Sequence, residues 1–160
     1  MRRAGFFAGW LFALCVGAMP AFADGLDITG FVTKPLHLTL HDLETMPATR
    51  LAVSFQGEHG REKATYTGAL LWSLIGRAGN IADKGKRADL RHYLTITGKD
   101  GYSVILSLGE LDPDFGAKGA IIAYLRDGKP IAADGAVRLV VPGDRQGGRN
   151  VRDVITIAVK

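Results

Sequence analysis

A glycine-rich, basic loop near the end of the chain has the residue types that hold anions. Residues 143–150 read GDRQGGRN, and Arg145, Arg149 and Arg152 lie in or just after this loop. Glycines let backbone N–H groups approach an anion, and guanidinium groups donate paired hydrogen bonds to phosphate oxygens. The Lys-Ser/Thr end of a Walker loop and a helix-opening G-x-G-x-x-G are both missing. Residue types alone favour a solvated loop between two strands, and the alternative is a phosphate cradle.

Arg138 stands inside the apolar run 137–141. A guanidinium in such a run needs an anionic partner or a site to face. Two interpretations are equally open. Either Arg138 points into a ligand pocket, or it pairs with a nearby aspartate or lies on the outer face of its strand.

Two pairs of titratable residues are weaker candidates. His37 and His41 are four apart in a strand-like segment, which does not aim both rings at one metal ion. Glu58 and His59 could do acid–base work, although exposed loop residues of these types usually have no such role. We therefore assign no catalytic residue and no metal ligand.

The first half of the chain has the two-residue alternation of half-buried strands. Residues 24–40 predict two extended segments, 42–46 one helical turn, and 50–55 a strand that leads into a polar loop at 56–63. The next element changes period. Apolar residues at helical spacing over 70–78 predict one main helix.

That helix has candidate boundary signals at both ends. Thr67 is placed to cap its start, and Gly79-Asn80 to stop it. Hairpins are predicted at 92–108 and 120–129, where Gly-containing turns join apolar segments.

The last two apolar segments, 137–141 and 151–159, are predicted as central strands. The chain contains no repeat or linker, so residues 24–160 are expected to form one domain. The fold class is mixed α+β, dominated by strands.

Residues 1–23 have the features of a bacterial signal peptide. Two arginines precede the apolar run 6–16, and small residues in 21–23 predict cleavage before Asp24. Pro20 interrupts the apolar run before it reaches the ~20 residues that cross a membrane. We expect a periplasmic or secreted protein with no membrane span after cleavage.

The arginines lack the surrounding residues of a twin-arginine signal, which favours export of the unfolded chain. The single cysteine, Cys15, is expected to leave with the signal peptide, so disulfides, thiolate metal sites and a cysteine nucleophile are excluded from residues 24–160. The formal charge of +4 includes two arginines of the signal peptide, so about +2 remains. Such a small excess predicts no nucleic-acid partner.

Several short motifs follow one another along residues 24–160. They are YTGALLWSLI at 66–75 with AG at 78–79, DGY at 100–102, AY at 123–124 with DGKPI at 127–131, and GAVRLVVPG at 135–143. As an ordered set they resemble the oxidoreductase molybdopterin-binding domain, the catalytic unit of the sulfite oxidase family. The resemblance implies a strand-rich, sulfite oxidase-like fold with one main helix.

The resemblance also implies a cofactor site. Arg138, Arg149, Asn150 and Arg152 match the positions that would hold the phosphate and ring edges of a pterin. The cofactor is then either molybdopterin or none. The expected partners are a pterin or another small anionic ligand, with an unknown periplasmic protein as a further candidate.

One departure from the family pattern bears on catalysis. Family enzymes bind molybdenum through a cysteine in the segment that runs here from 53 to 59, and no cysteine is present there. Whether His59 or Glu58 replaces it stays open. The leading hypothesis is an exported pterin- or anion-binding domain without thiolate-held molybdenum chemistry. The alternatives are a periplasmic protein-interaction module on the same fold and a molybdenum oxidoreductase with a non-cysteine ligand.

Overall fold

The computed structural model describes residues 25–132 and 136–160; the predicted signal peptide, Cys15 and Gly135 lie outside these ranges. The described ranges contain three α-helices: α1 (Leu40–Glu44), α2 (Leu71–Arg77) and α3 (Leu108–Leu111). They also contain ten strands: β1 (Leu26–Gly30), β2 (Leu36–Leu38), β3 (Ala48–Gly57), β4 (Gly60–Leu70), β5 (Tyr93–Gly98), β6 (Ser103–Ser107), β7 (Ile121–Arg126), β8 (Lys129–Pro130), β9 (Arg138–Val140) and β10 (Val154–Val159). The predicted class, strand-rich α+β with one main helix, is confirmed.

The first of two sheets joins both ends of the described chain. Its strand order is β2-β1-β10-β5-β6, so β10 occupies the centre. β10 runs parallel to β1 and antiparallel to β5. Ile157 and Val159 are fully buried on its inner side, which agrees with the predicted central strand at 151–159. The predicted hairpin at 92–108 is confirmed as β5 and β6.

The second sheet is built on a long hairpin. Its order is β3-β4-β7-β8, with β9 also paired to β7. β3 and β4 pair along their whole length from Ala48 with Ala69 to Gly57 with Gly60. The predicted loop at 56–63 is therefore wrong, because most of it forms the far end of this ribbon. The predicted hairpin at 120–129 is confirmed as β7 and β8.

The helices are short and pack against the sheets. Thr39 caps α1 through a reciprocal hydrogen-bond pattern with Asp42. α2 buries Leu71, Leu74 and Ile75 and ends before Gly79, whose φ of +79° suits a left-handed helix stop. Thr67 does not cap α2, since it lies within β4. No helix among the described residues is long and apolar enough to cross a membrane.

Apolar side chains form a main core and a smaller one. The main core lies between the sheets and includes Leu139 of β9, while the smaller one lies on the other face of the second sheet and includes Val140. β9 is buried but is not the predicted central strand, because β7 is its only strand partner within residues 25–132 and 136–160. Its other edge is covered by an irregular segment, through a hydrogen bond from the Leu139 N–H to the Val151 carbonyl. An apolar run therefore indicates that a segment is buried. It does not distinguish a central strand from an edge strand whose open side is covered by an irregular segment.

Candidate functional site

A cleft of about 610 Å³ opens beside the small core of the second sheet. Three segments that are distant in sequence form its walls: the end of β3 with its turn at 55–58, the turn before β6, and residues 146–148 and 150–152 of the glycine-rich segment. Its volume lies in the range of small-molecule sites, roughly 300–1,000 Å³. The cleft therefore brings together three of the four predicted cofactor residues, Arg138, Asn150 and Arg152.

Strand alternation directs Arg138 toward this cleft. Because Leu139 enters the main core, its neighbours in β9 point to the opposite face of the sheet. Arg138 is 7% exposed, lines the cleft and lies over the ring of Phe55, 5.6 Å from Cζ to the ring centroid. The geometry supports the first interpretation, a position at a ligand pocket.

Arg138 also has the anionic partner that its burial requires. Its Nη1 donates to Oε1 of Glu62 at 3.2 Å and to the hydroxyl of Tyr66 at 2.9 Å. The Tyr66 hydroxyl in turn donates to Glu62. The partner is a glutamate of β4 rather than the nearby aspartate that the sequence suggested, and the three groups form a closed network.

The network determines the protonation states of Glu62 and Tyr66. Burial by itself raises the pKa of the Glu62 carboxyl, but the hydrogen bond from Tyr66 and the positive charge of Arg138 outweigh it and leave the pKa lowered. Burial, followed by the hydrogen bond to Glu62, raises the pKa of Tyr66 to about 12. At neutral pH Glu62 is ionised and Tyr66 is a neutral donor.

Two buried donors at the cleft have no partner among the described residues. They are Nε of Arg138 and Nδ2 of Asn150. The carbonyl oxygen of the Asn150 side chain accepts from the Val141 N–H at 2.7 Å, which fixes the orientation of the amide. Buried donors are normally hydrogen-bonded, so two orphaned donors in residues that line one cleft indicate a site for acceptor atoms.

The remaining predicted cofactor residues separate into two groups. Arg152 is exposed, lines the cleft and forms no hydrogen bond or ion pair with a described residue. Arg149 does not line this cleft: its guanidinium donates to both carboxylate oxygens of Asp144, at 2.7 and 2.8 Å, and to Glu110 at 3.2 Å. Three of the four predicted residues thus meet at the cleft, and Arg149 instead braces the glycine-rich loop.

The glycine-rich loop is held in place rather than freely solvated. The Gln56 N–H donates to the Arg145 carbonyl at 2.9 Å, and the Tyr102 hydroxyl donates to the Gly148 carbonyl at 2.8 Å. Gly147 packs so closely that an added Cβ would lie 2.8 Å from the Phe55 ring. Only glycine allows this approach, so the loop is packed against β3 and is not a freely solvated loop.

The segment 53–59 presents an aromatic ring to the cleft. Phe55 is 2% exposed and packs beneath Arg138 and the glycine-rich loop. Glu58 lines the cleft from the exposed two-residue turn, whereas His59 does not line it. The described residues contain no group of three His, Cys, Asp or Glu side chains placed for a metal ion. His37 lies elsewhere, 2.8 Å from Asp27.

The sequence did not identify Glu62 as a residue of the cleft. Glu58, Glu62 and Asp100 line it together with Arg138 and Arg152, so carboxylates outnumber guanidiniums. Glu62 and Tyr66 lie four apart on β4 and face the same side, a pattern that a strand prediction at 60–70 would have revealed. The cleft therefore offers acceptors as well as donors.

Comparison with known proteins agrees with this architecture. A family profile described as the oxidoreductase molybdopterin binding domain matches residues 19–160. The crystal structure of the sulfane dehydrogenase SoxCD from Paracoccus pantotrophus superposes with a TM-score of 0.67 and 22% identity over 84% of this chain. The alignment spans 37% of that protein's chain. No curated protein sequence matches this one. The chain belongs to the oxidoreductase molybdopterin-binding domain family.

Proposed function

We propose that this protein is an exported domain that binds a pterin or another small anionic ligand in the cleft, without thiolate-held molybdenum chemistry. The observation that carries the proposal is the pair of buried, unpartnered donors on Arg138 and Asn150. Burying a donor without a partner costs about 1–3 kcal/mol, and a ligand oxygen or ring nitrogen at the cleft would recover that cost.

The organic part of a pterin cofactor fits the donor set. A bound pterin supplies carbonyl, ring-nitrogen and phosphate acceptors together with ring N–H donors. Arg138 and Asn150 would hold acceptors of the ring, and Arg152 at the open side would hold the phosphate. Glu58 and Asp100 line the same cleft and would accept from ring N–H groups.

The residues do not fit a thiolate-held metal. Residues 24–160 contain no cysteine, and the buried Phe55 side chain occupies the cleft end of β3. An aromatic ring offers no lone pair to molybdenum. We therefore derive no redox step for this chain.

Export is the second part of the proposal. It is supported by the paired arginines, the apolar run and the small residues that end at Ala23. We expect the protein in the periplasm or the medium, with Asp24 as its first residue. N-terminal sequencing of protein from cell fractions tests this location, and a cytoplasmic protein that begins at Met1 would contradict it.

The binding experiment uses two probes, 6-carboxypterin and inorganic phosphate, with protein purified from its native compartment. We expect saturable quenching of pterin fluorescence, weakened at least about 10-fold by Arg152→Gln because one charge-assisted hydrogen bond is lost. Arg61→Gln is the matched control: Arg61 is exposed on β4 and does not line the cleft, so the affinity of this variant for the probes should be unchanged.

Three results would overturn the proposal. Stoichiometric molybdenum with dye reduction by sulfite, or with oxidation of a reduced dye by a sulfoxide, would establish an oxidoreductase with an unusual ligand. Failure of both probes to bind native protein would favour an interaction module on the same fold. Equal losses in Arg61→Gln and Arg152→Gln would locate binding outside the cleft.

A further inference from the structure

The free edge of β6 takes no part in the cleft. β6 is an outer strand of the first sheet and, among the described residues, pairs only with β5. Two hydrogen bonds show which residues of β6 direct their main-chain groups toward β5. They run from the Gly98 N–H to the Tyr102 carbonyl and from the Leu108 N–H to the His92 carbonyl. Even-numbered residues therefore bond to β5, and the main-chain groups of Ser103 and Ile105 point to the open side.

This edge lacks the protection that the edges at β2 and β8 carry. Free strand edges are normally blocked by charges, proline or short length. β2 has three residues and follows Pro35, and β8 has two residues and contains Pro130. The sequence of β6 is SVILS, with no charge and no proline. No main-chain group of Ser103 or Ile105 bonds to a described residue on the open side.

Exposed apolar side chains accompany the open edge. Ile105 is 62% exposed, and Tyr93 on the paired strand and Leu90 beside it are 40% and 45% exposed. All three line a shallow depression of about 300 Å³. An uncharged edge with adjoining apolar surface is the combination that binds another strand.

We propose that β6 pairs antiparallel with β6 of a second copy of this chain, with the two-fold axis at Ile105. The sequence of the strand is self-complementary about this point. Ile105 would face Ile105, Ser103 would face Ser107, and Val104 would face Leu106, so that apolar residues meet apolar residues and no like charges oppose each other. The outward main-chain groups of the two Ile105 residues would exchange two hydrogen bonds and join the sheets into one ten-stranded sheet.

Cross-linking tests this geometry directly. Residues in a hydrogen-bonded antiparallel pair have Cα atoms about 5.5 Å apart, within the span of a disulfide. In the full chain with Cys15→Ala, Ile105→Cys should form a covalent dimer under mild oxidation. Phe115→Cys, which places a thiol at an apolar site 46% exposed outside β6, should not.

Sedimentation equilibrium gives the second readout. We expect a reversible dimer that Ile105→Lys abolishes, because two ammonium groups would oppose each other, while Phe115→Lys leaves it intact. Circular dichroism of each variant should match that of the original protein, since Ile105 is mostly exposed. A monomer at every concentration, with no Ile105→Cys cross-link, would refute the second copy and leave the edge to a strand of another protein. A dimer that survives Ile105→Lys would place the interface elsewhere.

Discussion

Glu62→Gln tests whether the cleft is built on a buried ion pair. The Arg138 side chain is 9% exposed, and its Nη1 lies 3.2 Å from the Glu62 carboxylate. Removing one partner of a buried pair costs about 3–5 kcal/mol because the other charge stays buried. Glutamine retains an acceptor for Arg138 and Tyr66, so we expect a loss of about 2–3 kcal/mol in the free energy of unfolding.

Urea denaturation measures this loss. With a slope of about 1–3 kcal/mol per molar urea, the unfolding midpoint should fall by roughly 1–2 M. The double variant Glu62→Gln/Arg138→Met removes both charges and should be more stable than the sum of the single losses predicts, by about 1–3 kcal/mol. A loss below about 0.5 kcal/mol in Glu62→Gln, or strict additivity, would refute the ion pair as the basis of the site.

The pH dependence of this loss gives an independent check. Although burial opposes it, the hydrogen bond from Tyr66 and the nearby guanidiniums hold the pKa of Glu62 below its ordinary value of 4.5 in the folded protein. The stabilisation is therefore complete above pH 4.5 and disappears as the pH falls through the folded pKa. The stabilities of the original protein and of Glu62→Gln should converge in acid. A constant difference from pH 7 to pH 3 would contradict the assignment.

Two further substitutions examine the glycine-rich loop. Gly147→Ala should cost about 1–3 kcal/mol in thermal or urea unfolding, because its Cβ would lie 2.8 Å from the Phe55 ring, whereas Gly148→Ala, whose Cβ meets only the Tyr102 hydroxyl at 3.9 Å, should cost little. Equal costs would mean that Gly147 does not pack as described. Asp144→Asn should cost about 1 kcal/mol at neutral pH by weakening the paired hydrogen bonds to the half-buried Arg149. Because the Arg149 hydrogen bond lowers the pKa of Asp144 despite its burial, this cost should vanish as the pH falls below 3.8; a cost that persists in acid would contradict it.

Much of the fold could be predicted because its strands are half-buried. Alternation and glycine turns located β1, β2, β5, β6 and β10, since each of these strands has one face in the core. A continuous apolar run located β7, which is buried on both faces. The far half of the β3–β4 ribbon was missed for a physical reason. Gln56, Arg61 and Lys63 are exposed there, so inter-strand hydrogen bonds hold the ribbon while its sequence reads as a polar loop.

The site was predictable where a residue's own neighbours determine its role. Arg138 in an apolar run had to face a partner or a pocket, and it faces both. Its partner Glu62 lies 76 positions away, a pairing that depends on β7 lying between β4 and β9. Arg149 is the opposite case. Its guanidinium donates to Asp144, which lies only five positions earlier, so the local sequence already contained a partner that competes with a ligand.

The pairing of β1 with β10 affects when the chain can fold. These strands lie at the two ends of the described sequence and run side by side at the centre of one sheet. The sheet cannot be completed until β10 has been synthesised, and contacts between segments that are distant in sequence form slowly. In a chain that is exported unfolded, this late closure would extend the time during which a secretion channel can accept the polypeptide. The order of strands in the sheet thus predicts slow folding.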